Sequence, residues 1–179
     1  MRRSGVLLPV TSLPSRFGIG TFSKEAYAFV DFLKEAGQKL WQILPLGPTG
    51  YGDSPYQAFS TFAGNPYLID LEELIENGWL TEEECENTDW GGSKSYVDYE
   101  KMYQGRFPLL RKAYHNSHIA GNAEFIAFCE ENDWWLSDYA LFMAIKDSQG
   151  GASFLEWDAP LKLREPEAIR RCRHELSDE

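Results

Sequence analysis

Two short apolar runs with one amphipathic stretch between them, all within residues 4–44, constrain the fold of this chain more than any other feature. The run from Ser4 to Leu8, with Val6, Leu7 and Leu8 in it and Pro9 after it, reads as a buried strand. Ser23 is placed as a helix N-cap, with Glu25 in the first turn. Ala26, Phe29, Val30 and Leu33 then follow at i, i+3, i+4 and i+7, which predicts a helix facing a core, capped at its C-terminus by Gly37. Lys39 to Leu44 reads as a second strand, stopped by Pro45. Strand, helix, strand over about 40 residues is a right-handed βαβ unit and predicts a parallel pair. The segments that leave the two strands, Pro9 to Thr21 and the one after Leu44, then share the face where β/α folds place their sites.

The second of these segments, Leu44 to Asn65 (LPLGPTGYGDSPYQAFSTFAGN), is far longer than a connection needs. Connections in compact domains run about 2–8 residues, and longer ones are mostly functional or disordered. Disorder fits poorly, because Tyr51, Tyr56, Phe59, Phe62 and, just beyond, Tyr67 crowd the segment, and disordered segments are depleted in aromatics. Flat apolar faces beside hydroxyl and amide groups suit a ligand with the same mixture, and sugars have it.

Composition excludes several classes. Asp and Glu number 28 against 17 Lys and Arg, a net charge of −11, and the basic residues cluster only at Arg170, Arg171 and Arg173. No phosphate-backbone footprint exists, so nucleic acid is excluded as the expected partner. Cys85, Cys129 and Cys172 are odd in number and widely spaced, neither a disulfide framework nor a zinc ribbon, and a reducing cytoplasm is the simplest setting. The apolar stretch Gly5 to Val10 contains Pro9 and falls short of the 7–15 residues, roughly, of a signal-peptide core. No run approaches the ~20 residues of a membrane span, so the expectation is a soluble cytoplasmic protein.

Beyond residue 71 the texture becomes helical, which divides the chain into 1–71 and a mostly helical block, 72–179. Glu72 to Trp79 reads as a brief helix, and Thr81 with Glu84 has the capping-box pattern. Tyr96 to Asn116 reads as helix broken at Pro108. Ala123–Asn132 and Ser137–Lys146 read as two helices, the second buried on nearly all sides, and Pro166 sits at N1 of a last helix. A β/α barrel needs about 250 residues. The chain stops in an apparent helix, Glu167 to Glu179, so the expectation is the start of a barrel left incomplete.

Ser4-Gly5-Val6-Leu7-Leu8, Thr11-Ser12-Leu13-Pro14, Gly18-Ile19-Gly20, Leu40-Trp41-Gln42, the string from Leu44 to Gln57, Phe59-Ser60 and Ala63-Gly64-Asn65-Pro66 together resemble the amino-terminal part of the 4-α-glucanotransferases (amylomaltases, disproportionating enzymes). The likeness is dense over residues 2–80 and looser later, where Asp138 to Phe142 is its clearest echo. It implies a (β/α)8 barrel with inserted helical subdomains, acting on α-1,4-glucans and maltooligosaccharides. It implies a retaining mechanism too, in which one carboxylate attacks the anomeric carbon, a second carboxyl protonates the leaving oxygen, and another sugar's hydroxyl resolves the glucosyl-enzyme. Neither a metal nor an organic cofactor is implied. The family's catalytic carboxylates lie downstream of its opening strands, so no catalytic residue is assigned here. The chain as given is expected to be inactive, with the remainder of the barrel as its pairing partner.

The substrate-binding candidates that follow are Tyr56, Ser54, Tyr51, Asp53 and Gln57. Tyr56 resembles the aromatic of a donor sugar subsite, and Tyr51 one at a more peripheral contact. Asp53 and Ser54 lie in Gly-Asp-Ser-Pro, a sequence that also forms Asx-type turns, so Asp53 leans structural and Ser54 functional. Gln57 and Asn65 read first as loop-stabilising amides, and Gly47, Gly50 and Gly52 as suppliers of positive φ. His115 and His118 lack a third ligand nearby, and Trp134 and Trp135 read as packing residues. Two other functions compete: a non-catalytic maltooligosaccharide-binding module, and an assembly module that uses the unfinished sheet edge.

Overall fold

The computed structural model describes residues 2–50, 52–93 and 95–177. They form two compact units, Met1–Asn122 and Ala123–Glu179, mostly helical, with one two-stranded sheet in the first.

The first unit opens with β1 (Gly5–Leu7), α1 (Lys24–Glu35) and β2 (Leu40–Gln42). β1 and β2 pair in parallel, with Gly5 opposite Leu40, Val6 opposite Trp41 and Leu7 opposite Gln42. Ser23 caps α1, its hydroxyl accepting from the Glu25 amide at 3.3 Å. At the other end Gly37 takes φ +72°, and the amides of Gly37 and Gln38 reach back to the Lys34 and Leu33 carbonyls, a Schellman closure. Ala26 and Leu33 are buried and Phe29 meets Trp41 edge-on at 5.0 Å, but Val30 is half exposed, outside the expected stripe. β1 is not the buried strand expected, and β2 is no better covered. Side chains alternate across a sheet, and with only two strands Leu7 and Leu40 are left more than half exposed.

Three further helices complete this unit: α2 (Leu71–Glu76), α3 (Glu82–Glu86) and α4 (Tyr99–Ser117). Asp70 caps α2, and Thr81 caps α3 through a full reciprocal capping box with Glu84. α4 corrects the sequence reading, for it runs through Pro108 without ending. Pro108 faces solvent, so the Gln104 carbonyl that loses its intrahelical donor is able to bond water. Met102, Leu109 and Ala113 give α4 its buried stripe, and Arg106 lies in the middle of it. Leu71, Leu80, Cys85 and Leu109 share one cluster with Phe17, while Ile19, Tyr67 and Met102 form another.

In the second unit α5 (Ala123–Ser148) is one continuous helix where two were expected. Residues 133–136 hold neither Gly nor Pro, so nothing interrupts the hydrogen-bond ladder. Nor is its C-terminal half buried all round: only Leu141 and Ile145 are, and they pack with Trp157 and Cys172. α6 (Ala159–Lys162) and α7 (Pro166–Glu175) follow, with Pro166 in the first turn of α7.

Candidate functional site

The long segment after β2 is folded back on itself, which is why it is ordered without being helix or strand. The Asn65 amide donates to the Leu46 carbonyl at 2.8 Å, the Phe59 amide to Pro48 at 3.2 Å, and Thr49 forms an antiparallel bridge with Ala58. Ser60 holds the return bend by accepting from the amides of Phe62 and Ala63, both at 3.1 Å. At the tip, Asp53 N–H donates to Gly50 at 3.0 Å and Gln57 N–H to Ser54 at 3.1 Å, two consecutive tight turns. Only Gly52 among the three candidate glycines has positive φ, at +89°. Gly47 and Gly50 serve close approach instead, since a Cβ would fall 2.8 Å from Ala58 Cβ at the first and 2.7 Å from Phe59 Cζ at the second.

The loops that leave β1 and β2 meet, as the parallel arrangement predicts, and enclose a cavity of about 220 Å³. Thr11 comes from the first loop, Thr49, Asp53 and Asn65 from the second, and Tyr67 and Tyr99 from the turn at Pro66–Leu68 and the start of α4. Each is placed by a local device. The Trp41 indole N–H donates to the Leu8 carbonyl at 2.8 Å and steadies the exit from β1. Asn65 caps the Pro66–Leu68 turn, its side-chain oxygen accepting from Tyr67 N–H at 2.9 Å. Asp98 caps α4 and so aims Tyr99, in its first turn, at the Tyr67 ring 6.0 Å away.

Electrostatically the cavity is a half-dry pocket around one carboxyl. Burial pushes the Asp53 carboxyl up, and the Thr49 hydroxyl pulls it partly back. Burial, then the Asp53 charge, pushes the Tyr67 phenol up to about 12. Tyr99 is raised for the same two reasons and lowered by its hydrogen bond with Thr11. Both phenols stay protonated donors at any physiological pH. Together with Thr11 and Thr49 they make a lining able to exchange hydrogen bonds with hydroxyl groups.

The candidates fall in different places. Tyr56 stands out at the tip, 74% exposed, and is absent from the cavity wall. Ser54 is half-buried beside it and Gln57 is exposed. Of the four candidates among the described residues, Asp53 alone lines the cavity, and it does so with φ +52°, in the left-handed region that a non-glycine residue seldom occupies. Tyr51 lies outside the described residues. Sequence reasoning missed Thr11, Thr49 and Tyr99. Only the Asp98 N-cap before Tyr99 offered a signal, because it fixes where α4 begins. His115 and His118 sit at the end of α4, His118 at φ +49°, and no group of metal-binding side chains occurs among the described residues. Trp135 donates to Asn132 at 3.0 Å and lies 6.1 Å from the Tyr139 ring. No helix of the described residues is long and apolar enough to cross a membrane.

Comparison with known proteins gives this arrangement its context. The chain is 48% identical to the 4-alpha-glucanotransferase of Thermus thermophilus over 99% of its own length and 35% of that protein's. It is 37% identical to the chloroplastic/amyloplastic 4-alpha-glucanotransferase DPE1 of Arabidopsis thaliana over 94% of its length and 30% of that protein's. The structure superposes on amylomaltase from Streptococcus agalactiae, solved in complex with acarbose, with a TM-score of 0.92 and 45% identity, over 99% of this chain and 36% of that one. The chain thus spans about a third of the length of the relatives it matches. The family profile described as 4-alpha-glucanotransferase matches residues 8–179, nearly the whole chain, and the chain belongs to that family.

Proposed function

We propose that this chain is the amino-terminal part of a 4-α-glucanotransferase, a retaining enzyme that moves α-1,4-glucan segments between maltooligosaccharides. In this reading residues 1–71 are the opening strands, helix and site loop of a (β/α)8 barrel, and 72–179 an inserted, mostly helical subdomain. The observation that carries it is the superposition on the acarbose-bound amylomaltase, in a chain whose strand-end loop holds an exposed tyrosine beside turn hydroxyls. Exposed Leu7, Leu40, Tyr27 and Phe32 support the barrel reading, since they are the side chains that further strands and helices would cover. No catalytic carboxylate is assigned within these residues. The nucleophile and the acid/base belong, in this reading, to the rest of the barrel that pairs with them. No cofactor enters the reaction.

The roles within the loop divide by exposure. Tyr56 offers a ring face for a glucose unit to stack on and a hydroxyl for a sugar oxygen, with Ser54 and Gln57 as neighbouring hydrogen-bond partners. Asp53 holds the turn. Tyr51 belongs to the same glucan-facing loop. An aromatic face is worth about 0.5–1.5 kcal/mol, so Tyr56→Ala should weaken binding of maltoheptaose roughly two- to thirteenfold in calorimetric titration, with the loop intact. Unchanged binding in that variant would remove Tyr56 from the site. No maltooligosaccharide binding by the chain at any accessible concentration would remove the glucan reading altogether.

A further inference from the structure

Arg106 is the least expected side chain in the molecule. It lies in the apolar stripe of α4, between Met102 and Leu109, and is 0% exposed. One terminal nitrogen, Nη2, donates to the Ile69 carbonyl; Nε and Nη1 have no partner among the described residues. Burial pulls its pKa down to about 10, while Asp70, Cys85 and Tyr67 push it back up, so the group is a cation at neutral pH. A buried guanidinium with two unbonded nitrogens is poor for stability, and an apolar residue of similar length serves a core at least as well. What the cation does contribute is a fixed point.

We infer that Arg106 is a positioning residue, a buried tether that holds the base of the aromatic loop and the Tyr67 wall of the cavity against α4. The bonded path is short. Arg106 grips Ile69, which closes the Pro66–Leu68 turn by donating to the Pro66 carbonyl at 3.3 Å. That turn carries Tyr67, whose ring lies 5.6 Å from Phe107, the neighbour of Arg106, and 6.0 Å from Tyr99. Its N-cap, Asn65, grips the loop through Leu46 at 2.8 Å. One side chain therefore ties the start of α4, the cavity wall and the root of the loop that bears Tyr56 into one piece. The inference rests on the glucan reading for what the loop binds, but not for the tether itself.

Amide exchange on the chain and on Arg106→Met and Arg106→Lys tests it without a sugar. In Arg106→Met the amides of Asn65 and Tyr67 should exchange about tenfold faster or more, while those of α1 change less than about threefold. Arg106→Lys keeps a donor for Ile69 and should hold both amides within about threefold of the wild type. Unchanged amides in Arg106→Met, or faster exchange in α1 and the 65–67 segment alike, would make Arg106 ordinary core and overturn the tether. Should Arg106→Met fail to fold, Arg106→Lys decides alone: slower exchange or a change within that limit upholds the inference, and a larger acceleration sinks it. A maltoheptaose titration of the wild type separates the two ideas, since absent binding defeats the glucan reading and leaves the exchange result standing.

Discussion

At the scale of single residues, Asp53 departs furthest from what its neighbours in sequence suggest. It pairs a left-handed backbone, φ +52°, with a carboxyl turned into a half-dry cavity. Left-handed geometry costs an L-residue roughly 1–2 kcal/mol, less for Asp, whose short side chain bonds locally. Its folded pKa is raised above the ordinary 3.8, first by burial, so the folded state holds the proton longer than the unfolded chain does. The penalty is therefore absent below 3.8, grows as pH rises through the unfolded and then the folded value, and is complete at neutrality. Asp53→Asn, which cannot ionise, should gain stability on the wild type as pH rises from below 3.8 to neutral, read as a widening difference in melting temperature. A difference independent of pH would show that the carboxyl is solvated in the fold. Tyr56, by contrast, stands exposed at the turn tip, where it needs no tertiary contact.

Among the elements, local signals located ends better than interruptions. Ser23, Gly37 and Thr81, read from the sequence, and Asp70 and Asp98, seen only in the structure, each sit at a boundary they chemically define, because a cap satisfies backbone groups that the helix itself cannot. Pro108 failed as a stop. A proline removes one donor and crowds one carbonyl, and the packed stripe of Met102, Leu109 and Ala113 on the opposite side holds α4 together regardless. Pro108→Ala should thus restore the bond to Gln104 and raise stability by about 1–3 kcal/mol, seen as a higher melting temperature with unchanged helical circular dichroism. A lower melting temperature would mean that the proline ring packs where the structure shows it exposed. α5 was misread for a related reason. Apolar residues on all sides of Ala123–Ser148 signal either burial or length, and periodicity by itself does not tell them apart.

For the whole molecule, the net charge of −11 governs what approaches the surface. At neutral pH the chain should bind an anion exchanger and pass through heparin unretained, and retention on heparin in low salt would reveal a basic patch that the charge count hides. The same scale explains the exposed strands. A parallel pair is normally covered on both faces, and Leu7 and Leu40 are exposed because two strands cover nothing but each other.

By itself the sequence determined the βαβ opening, several helix ends and the family, since each depends on neighbours a few residues apart or on a string of them in order. Only the tertiary structure decided that Asp53 faces inward, that Thr11, Thr49, Tyr67 and Tyr99 converge on one cavity, and that Arg106 is buried. Those are contacts between segments tens of residues apart, such as Arg106 with Ile69 or Tyr99 with Tyr67. No local pattern encodes them, because their energy comes from the packing of whole elements and not from the propensity of any one.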